Sequence, residues 1–327
     1  NISPIVLFLK ERGVGRVLIS AGLNYELAKT LSEYFALAVL KAPFYPERAV
    51  KTAWEIREIE KAQSAVEGGV KLAMDWLSRT EIKGEFLYHP EFRETPASAG
   101  HLRKIIDEAL FKEGYLGVGS IVAPGIEAAD PHKKGEGPLR AGEPIVLDIY
   151  PRSLESLYFA DMTRTVFRGE PLPKFKKMYN AVLWAQESAI SSVKAGADGQ
   201  VIYKGVLEFF EKEGYPTNLS SRSVYPVRGR STGNTATTAL GQSASNGVYG
   251  FIHGFGHGVG IEIHEPPRLS SVSQVLEAGN VVTVEPGLYY PEARGDIPAG
   301  GIRVEDMVLV TRDGARNLPI LKKVWRR

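Results

Sequence analysis

The segment FIHGFGHGVGIEIHEPP, residues 251–267, holds His253, His257 and His264, half of the six histidines in a chain of 327 residues. Crowding a scarce titratable side chain into one glycine-rich stretch implies either chemistry or close backbone packing, and the rest of the chain decides between them. There is no cysteine, which excludes disulfides, zinc-thiolate sites and thiol nucleophiles; any metal must be held by carboxylate oxygen and imidazole. With 43% hydrophobic and 24% charged residues the chain reads as an ordinary globular protein, long enough for one large domain with a smaller one beside it. No apolar run approaches the roughly 20 residues of a membrane helix. A formal net charge of +2 gives no electrostatic reason to expect nucleic acid or an anionic membrane as partner.

Outward from the histidines, the hydrophobic periodicity predicts a short buried strand at RVLISA, residues 16–21, and a helix over Tyr25 to Leu40 carried by Leu27, Leu31, Phe35 and Ala38. Pro43 and Pro46 then mark a boundary, so residues 1–48 are expected to be a partial or reduced N-terminal α/β domain. Helices are expected from Thr52 through Leu77 and from Ser98 to Lys112, followed by the strand-like GVGSIVA, EPIVLDIY and LYFADMTRTVF. The order then repeats, with helical patterns over Pro173–Val193 and Gln200–Lys212 before the strand-like VVTVEPGLYY and GIRVEDMVLVT. Helices and then strands, twice over, predict an α+β fold: duplicated helix-helix-strand units with helices on one face of a curved antiparallel sheet. Residues 216–246 are rich in Ser, Thr, Gly and Asn and lie just ahead of the histidine segment, so they are expected to form a loop that covers or borders a site.

The carboxylates fall in the strand-like runs. Asp148 sits in IVLDIY, Asp161 in FADMTRT, Glu285 in VVTVEPG and Glu305 in IRVEDMVLV. Any one of them, read singly, is a strand-end acid facing water or an arginine, because an ionised carboxylate is costly to bury without a partner. Taken with His257, two aspartates and two glutamates make an oxygen-rich set able to hold two divalent ions a short distance apart. Glu262, Glu292 and Asp306 read as solvated or structural acids, and Glu265 as a support for its neighbours.

HGFGHGVGIEIHEPP resembles the histidine motif of the metallopeptidase family that includes aminopeptidase P, prolidase, methionine aminopeptidase and creatinase, the family of the pita-bread fold. LDIY with FADMTRT is similar to the family's paired-aspartate hairpin, VTVEPGLY to its first glutamate strand and GGIRVEDMVLVT to its second. IVAPGIEAADPH is similar to the strand and loop that end in its upstream histidine, here His132. The resemblance covers residues 49–327, which it implies are the catalytic domain. It further implies that Asp148, Asp161, His257, Glu285 and Glu305 ligate two divalent metal ions, with manganese or cobalt expected ahead of zinc or iron. Asp161 and Glu305 would bridge the ions and Glu285 would carry the proton. His264 would face the oxyanion, His253 and His132 the substrate, and Arg303 would orient the ligand carboxylates. The aspartate spacing is two residues longer than the family's, which places a lengthened turn within PRSLESLY. The implied reaction is hydrolysis of the bond between an N-terminal residue and proline, by a cytoplasmic homodimer acting on small peptides with proline in second position. Dipeptidase activity is favoured over aminopeptidase activity, with Arg268 reading the carboxylate after proline. A creatinase-like C–N hydrolase and a non-catalytic peptide-binding relative are the alternatives.

Overall fold

The computed structural model describes residues 3–40, 45–218 and 247–323. The expected covering loop falls, from residue 219 to 246, outside the described residues. The chain divides into two compact units after residue 48. The smaller carries α1 (Pro4–Glu11), β1 (Arg16–Ser20), α2 (Tyr25–Ser32) and β2 (Ala36–Leu40), with β1 and β2 parallel and Val6, Leu31 and Phe35 at its core. The helix expected to reach Leu40 therefore ends at Ser32, and β1 is only half-buried. An uninterrupted apolar run such as ALAVL satisfies a helix and a strand equally, and pairing with β1 supplies the backbone hydrogen bonds that settle it.

The larger unit opens on Thr52, whose side chain accepts from Glu55 N–H while Glu55 reaches back, a capping box that starts α3 (Ala53–Ser78). After β3 (Glu81–Lys83) and β4 (Phe86–Tyr88) comes α4 (Ala99–Lys112), then β5 (Tyr115–Gly117), β6 (Ile121–Pro124), β7 (Ile145–Ile149), β8 (Pro151–Ser153) and β9 (Met162–Val166). The second half has α5 (Pro173–Ser192), α6 (Gly199–Lys212), β10 (Gly256–Gly258), β11 (Glu265–Leu269), β12 (Val281–Val284), β13 (Gly287–Tyr290), β14 (Gly300–Arg303), β15 (Asp306–Val310) and β16 (Ala315–Asn317). The duplication is visible in the core. One apolar cluster joins α3 and α4 to β7 and β9 through Val66, Val70, Leu102, Ile106, Leu147 and Met162. The other joins α5 and α6 to β12, β13 and β14 through Met178, Val182, Phe210, Val284, Leu288 and Ile302. No helix among the described residues is long and apolar enough to cross a membrane.

Two features of the sheets position the site. β7 and β9 pair in antiparallel register, Asp148 opposite Thr163 and Ile149 opposite Met162, and the additional residues between the aspartates fold back separately. There Ser153 N–H donates to Tyr158 O and Ala160 N–H to Pro151 O, so the extra length leaves the pairing intact. The second feature departs from the sequence expectation. VVTVEPGLYY and GIRVEDMVLVT are not single strands; each breaks in the middle, at Glu285 and Glu305. β12 pairs with β15 and β13 with β14, so the two breaks face each other across one antiparallel pair that changes sheets at that point. Released from the ladder, Glu285 N–H donates to Phe255 O (2.8 Å) and Glu305 N–H to Thr163 O (3.1 Å).

Behind this joint, Arg164 is buried with its guanidinium donating to the carbonyls of Thr163 (2.9 Å), Glu305 (2.6 Å) and Leu321 (2.9 Å) and to Asp306 Oδ1 (2.8 Å). Burial alone would raise the Asp306 carboxyl, but Arg164 and Lys323 hold it below its ordinary value. Asp306 is thus a fully buried structural acid and not a solvated one. Arg164→Leu removes the cation that faces Asp306 Oδ1 and a donor shared by three carbonyls, and is expected to lower unfolding free energy by about 3–5 kcal/mol, read from the urea midpoint. A loss below about 1 kcal/mol would show that the pair behaves like a surface contact.

Candidate metal centre

β9 and the residue before it project Asp161, Thr163 and Thr165 to one side, since side chains alternate along a strand. Asp148, opposite Thr163 in β7, shares that side. His257 comes from β10, and the glycines beside it answer the question its segment posed. β10 is squeezed between β11 and β12, and a Cβ at Gly258 would stand 2.3 Å from Pro266 O. The glycines admit the close approach and the histidine carries the chemistry. The histidine's Nε2 then lies 3.6 Å from Asp161 Oδ2 and 3.3 Å from Glu285 Oε1. Ligand atoms of Asp161, His257 and Glu305 all lie within 4.8 Å of one another.

Asp148 is not in that triad; its Oδ2 accepts from Arg303 Nη2. Arg303 also donates through Nε to Thr163 Oγ1 (3.1 Å) and through Nη1 to Tyr289 Oη (3.1 Å) and Pro131 O (3.3 Å). Thr163 Oγ1 donates in turn to Glu305 Oε2 (2.6 Å). Thr283 links two others, accepting from His257 N–H (3.0 Å) and donating to Glu285 Oε1 (3.3 Å).

The charges do not balance. Burial raises the Asp161 carboxyl well above its ordinary value and the Glu305 charge raises it further; Glu305 rises likewise by burial and then by Glu285 and Asp148. Burial pushes Glu285 up to about 7. Asp161 Oδ1 and Glu305 Oε1 are buried with no hydrogen-bond partner among the described residues. His257 cannot supply the missing positive charge, because burial and the neighbouring His264 hold its pKa well below the usual imidazole value. Its Nδ1–H donates to Gly258 O (3.1 Å), which leaves the Nε2 lone pair facing two carboxylates. Orphaned oxygens and a lone pair aimed at one place are the donor set of a hard or borderline divalent cation.

The remaining expected residues differ in what they can offer. His264 and His132 are solvent-accessible, yet desolvation by surrounding protein lowers both pKa values, to about 4 for His264; this combination belongs to the wall of a cleft. His264 packs edge-on to His257, ring centroids 4.3 Å apart at 90°. Arg268 is exposed and pairs with His257 across β10 and β11, so its side chain leaves the same face, and its charge is felt by His264 and Glu285. His253, expected beside substrate, has both ring nitrogens engaged, Nδ1 with Gly254 O (2.6 Å) and Nε2 with Tyr289 Oη (2.8 Å). Burial and then Arg303 lower it to about 3, so it stays neutral and ends a relay from Asp148 through Arg303 and Tyr289. Thr163 and Thr283 were missed in the sequence, although each lies two residues from a site acid and so shares its face. Tyr289 carries no comparable signal.

Residues 57–312 match the profile of metallopeptidase family M24. An Xaa-Pro dipeptidase of Pyrococcus furiosus is 32% identical over 96% of this chain and 78% of its own length. An Xaa-Pro dipeptidase of Pyrococcus horikoshii is 31% identical over 83% of this chain and 62% of its own length, so the match spans less than two thirds of that relative. Among solved structures, an Xaa-Pro dipeptidase from Bacillus anthracis superimposes with a TM-score of 0.76 at 25% identity, covering 98% of this chain and 77% of its own.

Protonation and cation binding compete at these residues, and the sign can be worked out. A carboxyl raised on folding contributes stability below its unfolded pKa of about 4 and loses it as pH rises through the folded value, about 7 for Glu285. The depressed histidines act oppositely, contributing above about 6.5 and losing that as pH falls towards folded values of about 4 for His264 and about 3 for His253. A cation needs the carboxylates deprotonated and the His257 lone pair free, and His257 too is held neutral by burial and then by His264. The rise in Tm on adding Mn²⁺ to chelator-treated protein is therefore expected to be small at pH 5 and large at pH 8, measured by differential scanning fluorimetry. An equal rise at both pH values, or none, would contradict a carboxylate–imidazole cation site.

Proposed function

The chain belongs to metallopeptidase family M24 and has its pita-bread fold, and from that premise we propose that residues 49–327 form a catalytic domain that hydrolyses the bond between an N-terminal residue and proline, as a dipeptidase ahead of an aminopeptidase. The observation that carries this reading is the buried, under-compensated set of Asp161, Glu305, Glu285 and His257. Asp148, Asp161, His257, Glu285 and Glu305 would hold two divalent ions. When bound, such ions acidify water to near neutrality and polarise the scissile carbonyl. On the family resemblance alone the proposal extends to manganese or cobalt as the metals, a homodimer and a cytoplasmic protein.

The chain's own groups divide the remaining work. Glu285 is the most accessible of the site carboxylates whose pKa is raised, with its side chain 15% exposed against 6% for Asp161, so it is the one able to meet the proton of an attacking water. It takes the proton of the water whose oxygen bonds to the carbonyl carbon and delivers it to the proline nitrogen, which carries no hydrogen in the peptide bond and leaves, as the C–N bond breaks, only when protonated. His264, neutral at working pH, can donate a ring N–H to the oxygen on which charge develops. Tyr289, Arg303 and His253 hold the carboxylate side of the cleft rigid through their hydrogen-bonded relay. Arg268 supports the dipeptidase choice, because an exposed guanidinium on the face of His257 can pair in two-pronged fashion with the free carboxylate after proline.

The reading is tested on Xaa-Pro dipeptides and Xaa-Pro-Yaa tripeptides with added Mn²⁺ or Co²⁺ and with excess chelator. Metal-dependent cleavage of dipeptides is expected, and Arg268→Ala is expected to raise KM for dipeptides by the equivalent of about 1.5–3 kcal/mol with little change for tripeptides. Full activity in chelator would contradict the metal-dependent reaction, and equal losses on both substrate lengths would assign aminopeptidase activity instead.

A further inference from the structure

One buried ion pair lies beside this machinery with no part in it so far. Lys51 Nζ meets Glu265 Oε2 at 3.0 Å across 214 positions of sequence, with the two side chains 1% and 3% exposed. A pair this buried gives up hydration that its own attraction barely offsets, so its presence points to a role in fixing geometry. The geometry it touches is the loop that ends in His264. Glu265 Oε1 accepts the Glu262 N–H (3.0 Å), and Gly260 N–H donates to Glu262 O (3.1 Å), so residues 260–264 close around the Glu265 carboxylate. The wrap is tight enough that a Cβ at Gly260 would stand 2.5 Å from Glu265 Oε2. Gly260 O in turn accepts from Phe159 N–H (2.8 Å), two residues ahead of Asp161.

His264 itself makes no ring hydrogen bond to another described residue, which leaves a nitrogen available to substrate and only the edge-on contact with His257 to hold the ring. Beyond that contact its position is set by the backbone on either side, and the residue that follows it is Glu265. Lys51 is anchored in turn. Its N–H donates to Gly279 O (2.8 Å), and the adjoining Asn280 side chain donates to Ala49 O (3.0 Å), in the turn that starts β12 and leads to Glu285. The lysine therefore ties the strand that delivers Glu285 to the loop that delivers His264.

We propose that Lys51 and Glu265 are a positioning pair that sets the His264 ring against the reacting carbonyl. The proposal rests on the peptidase reading only for the identity of what His264 faces; the placement of the loop stands independently. Three preparations test it: Lys51→Met, His264→Ala and the double variant, each metal-loaded, with kcat, KM, metal content and amide exchange of the peptide spanning residues 259–265 measured together. In Lys51→Met we expect unchanged metal content, faster exchange at the Glu262 amide, and a kcat about 10- to 100-fold lower with KM little altered. In the His264→Ala background the same substitution is expected to change kcat hardly at all, because the residue it acts through is gone. Lys51→Arg, which keeps the charge, is expected to recover most of the rate. Should Lys51→Met not fold, Glu265→Gln is measured in the same way and with the same expectation. Equal kcat losses with and without His264, or unchanged exchange in the 259–265 peptide, would overturn the pair's role. Absence of Xaa-Pro cleavage by the wild-type protein would count against the proposed substrate, and the exchange measurement would still decide the positioning pair.

Discussion

Four carboxylates and one neutral imidazole converge on a buried space where, among the described residues, Arg303 is the buried guanidinium that bonds one of them. Asp148 is answered by Arg303, while Asp161 and Glu305 each keep an oxygen with no partner among the described residues. Such an arrangement is unfavourable in isolation, since like charges held close in a poorly solvated place raise one another's pKa. The surrounding fold is organised to hold it nonetheless. The antiparallel pair of residues 281–290 and 300–310 changes sheets at one point on both chains, and the two glutamates occupy the two breaks. A continuous ladder would have pointed them by strict alternation and bonded their amides to each other's strand. The breaks instead send those amides to Phe255 O and Thr163 O.

β9 is the hub of this construction. Its one face supplies Thr163 and Thr165, which bond Glu305 and Arg303, and Asp161 stands in line with them. Its other face supplies Arg164, which clasps the Glu305 carbonyl and Asp306 from behind. A cation between the carboxylates would thus be met by a wall braced on both sides. The substrate side is built differently. His264, His132 and Arg268 are accessible, and the His264 ring has no hydrogen bond to another described residue, so supports to its backbone such as the Lys51–Glu265 pair do the placing.

The helices of the larger unit were legible in the sequence because each carries sustained periodicity and a start signal, as at Thr52 and Asp198. The site acids were legible for a chemical reason: a carboxylate inside a run such as VVTV or IVL is costly there unless something compensates it. What the sequence did not disclose shares one physical character. The breaks at Glu285 and Glu305 leave the apolar pattern continuous, so nothing local announces them. Arg164 with Asp306, and Lys51 with Glu265, are pairs made by tertiary proximity between distant positions, so even where Glu265 reads as a support for its neighbours and Asp306 as solvated or structural, the sequence names no partner for either. In the N-terminal unit the ALAVL run fits two periods at once, and only its pairing with β1 decides for the strand. The engagement of both His253 nitrogens was likewise invisible, because it depends on Tyr289 lying 36 positions away.

The central claim is that these five side chains hold two divalent ions, and an anomalous difference map from crystals grown in Mn²⁺ tests it most directly. The account predicts two peaks roughly 3.5–4 Å apart, both in contact with Asp161 and Glu305, one of them beside Asp148 and the other beside His257 and Glu285. A single peak, peaks away from these residues, or no peak at saturating Mn²⁺ would contradict it.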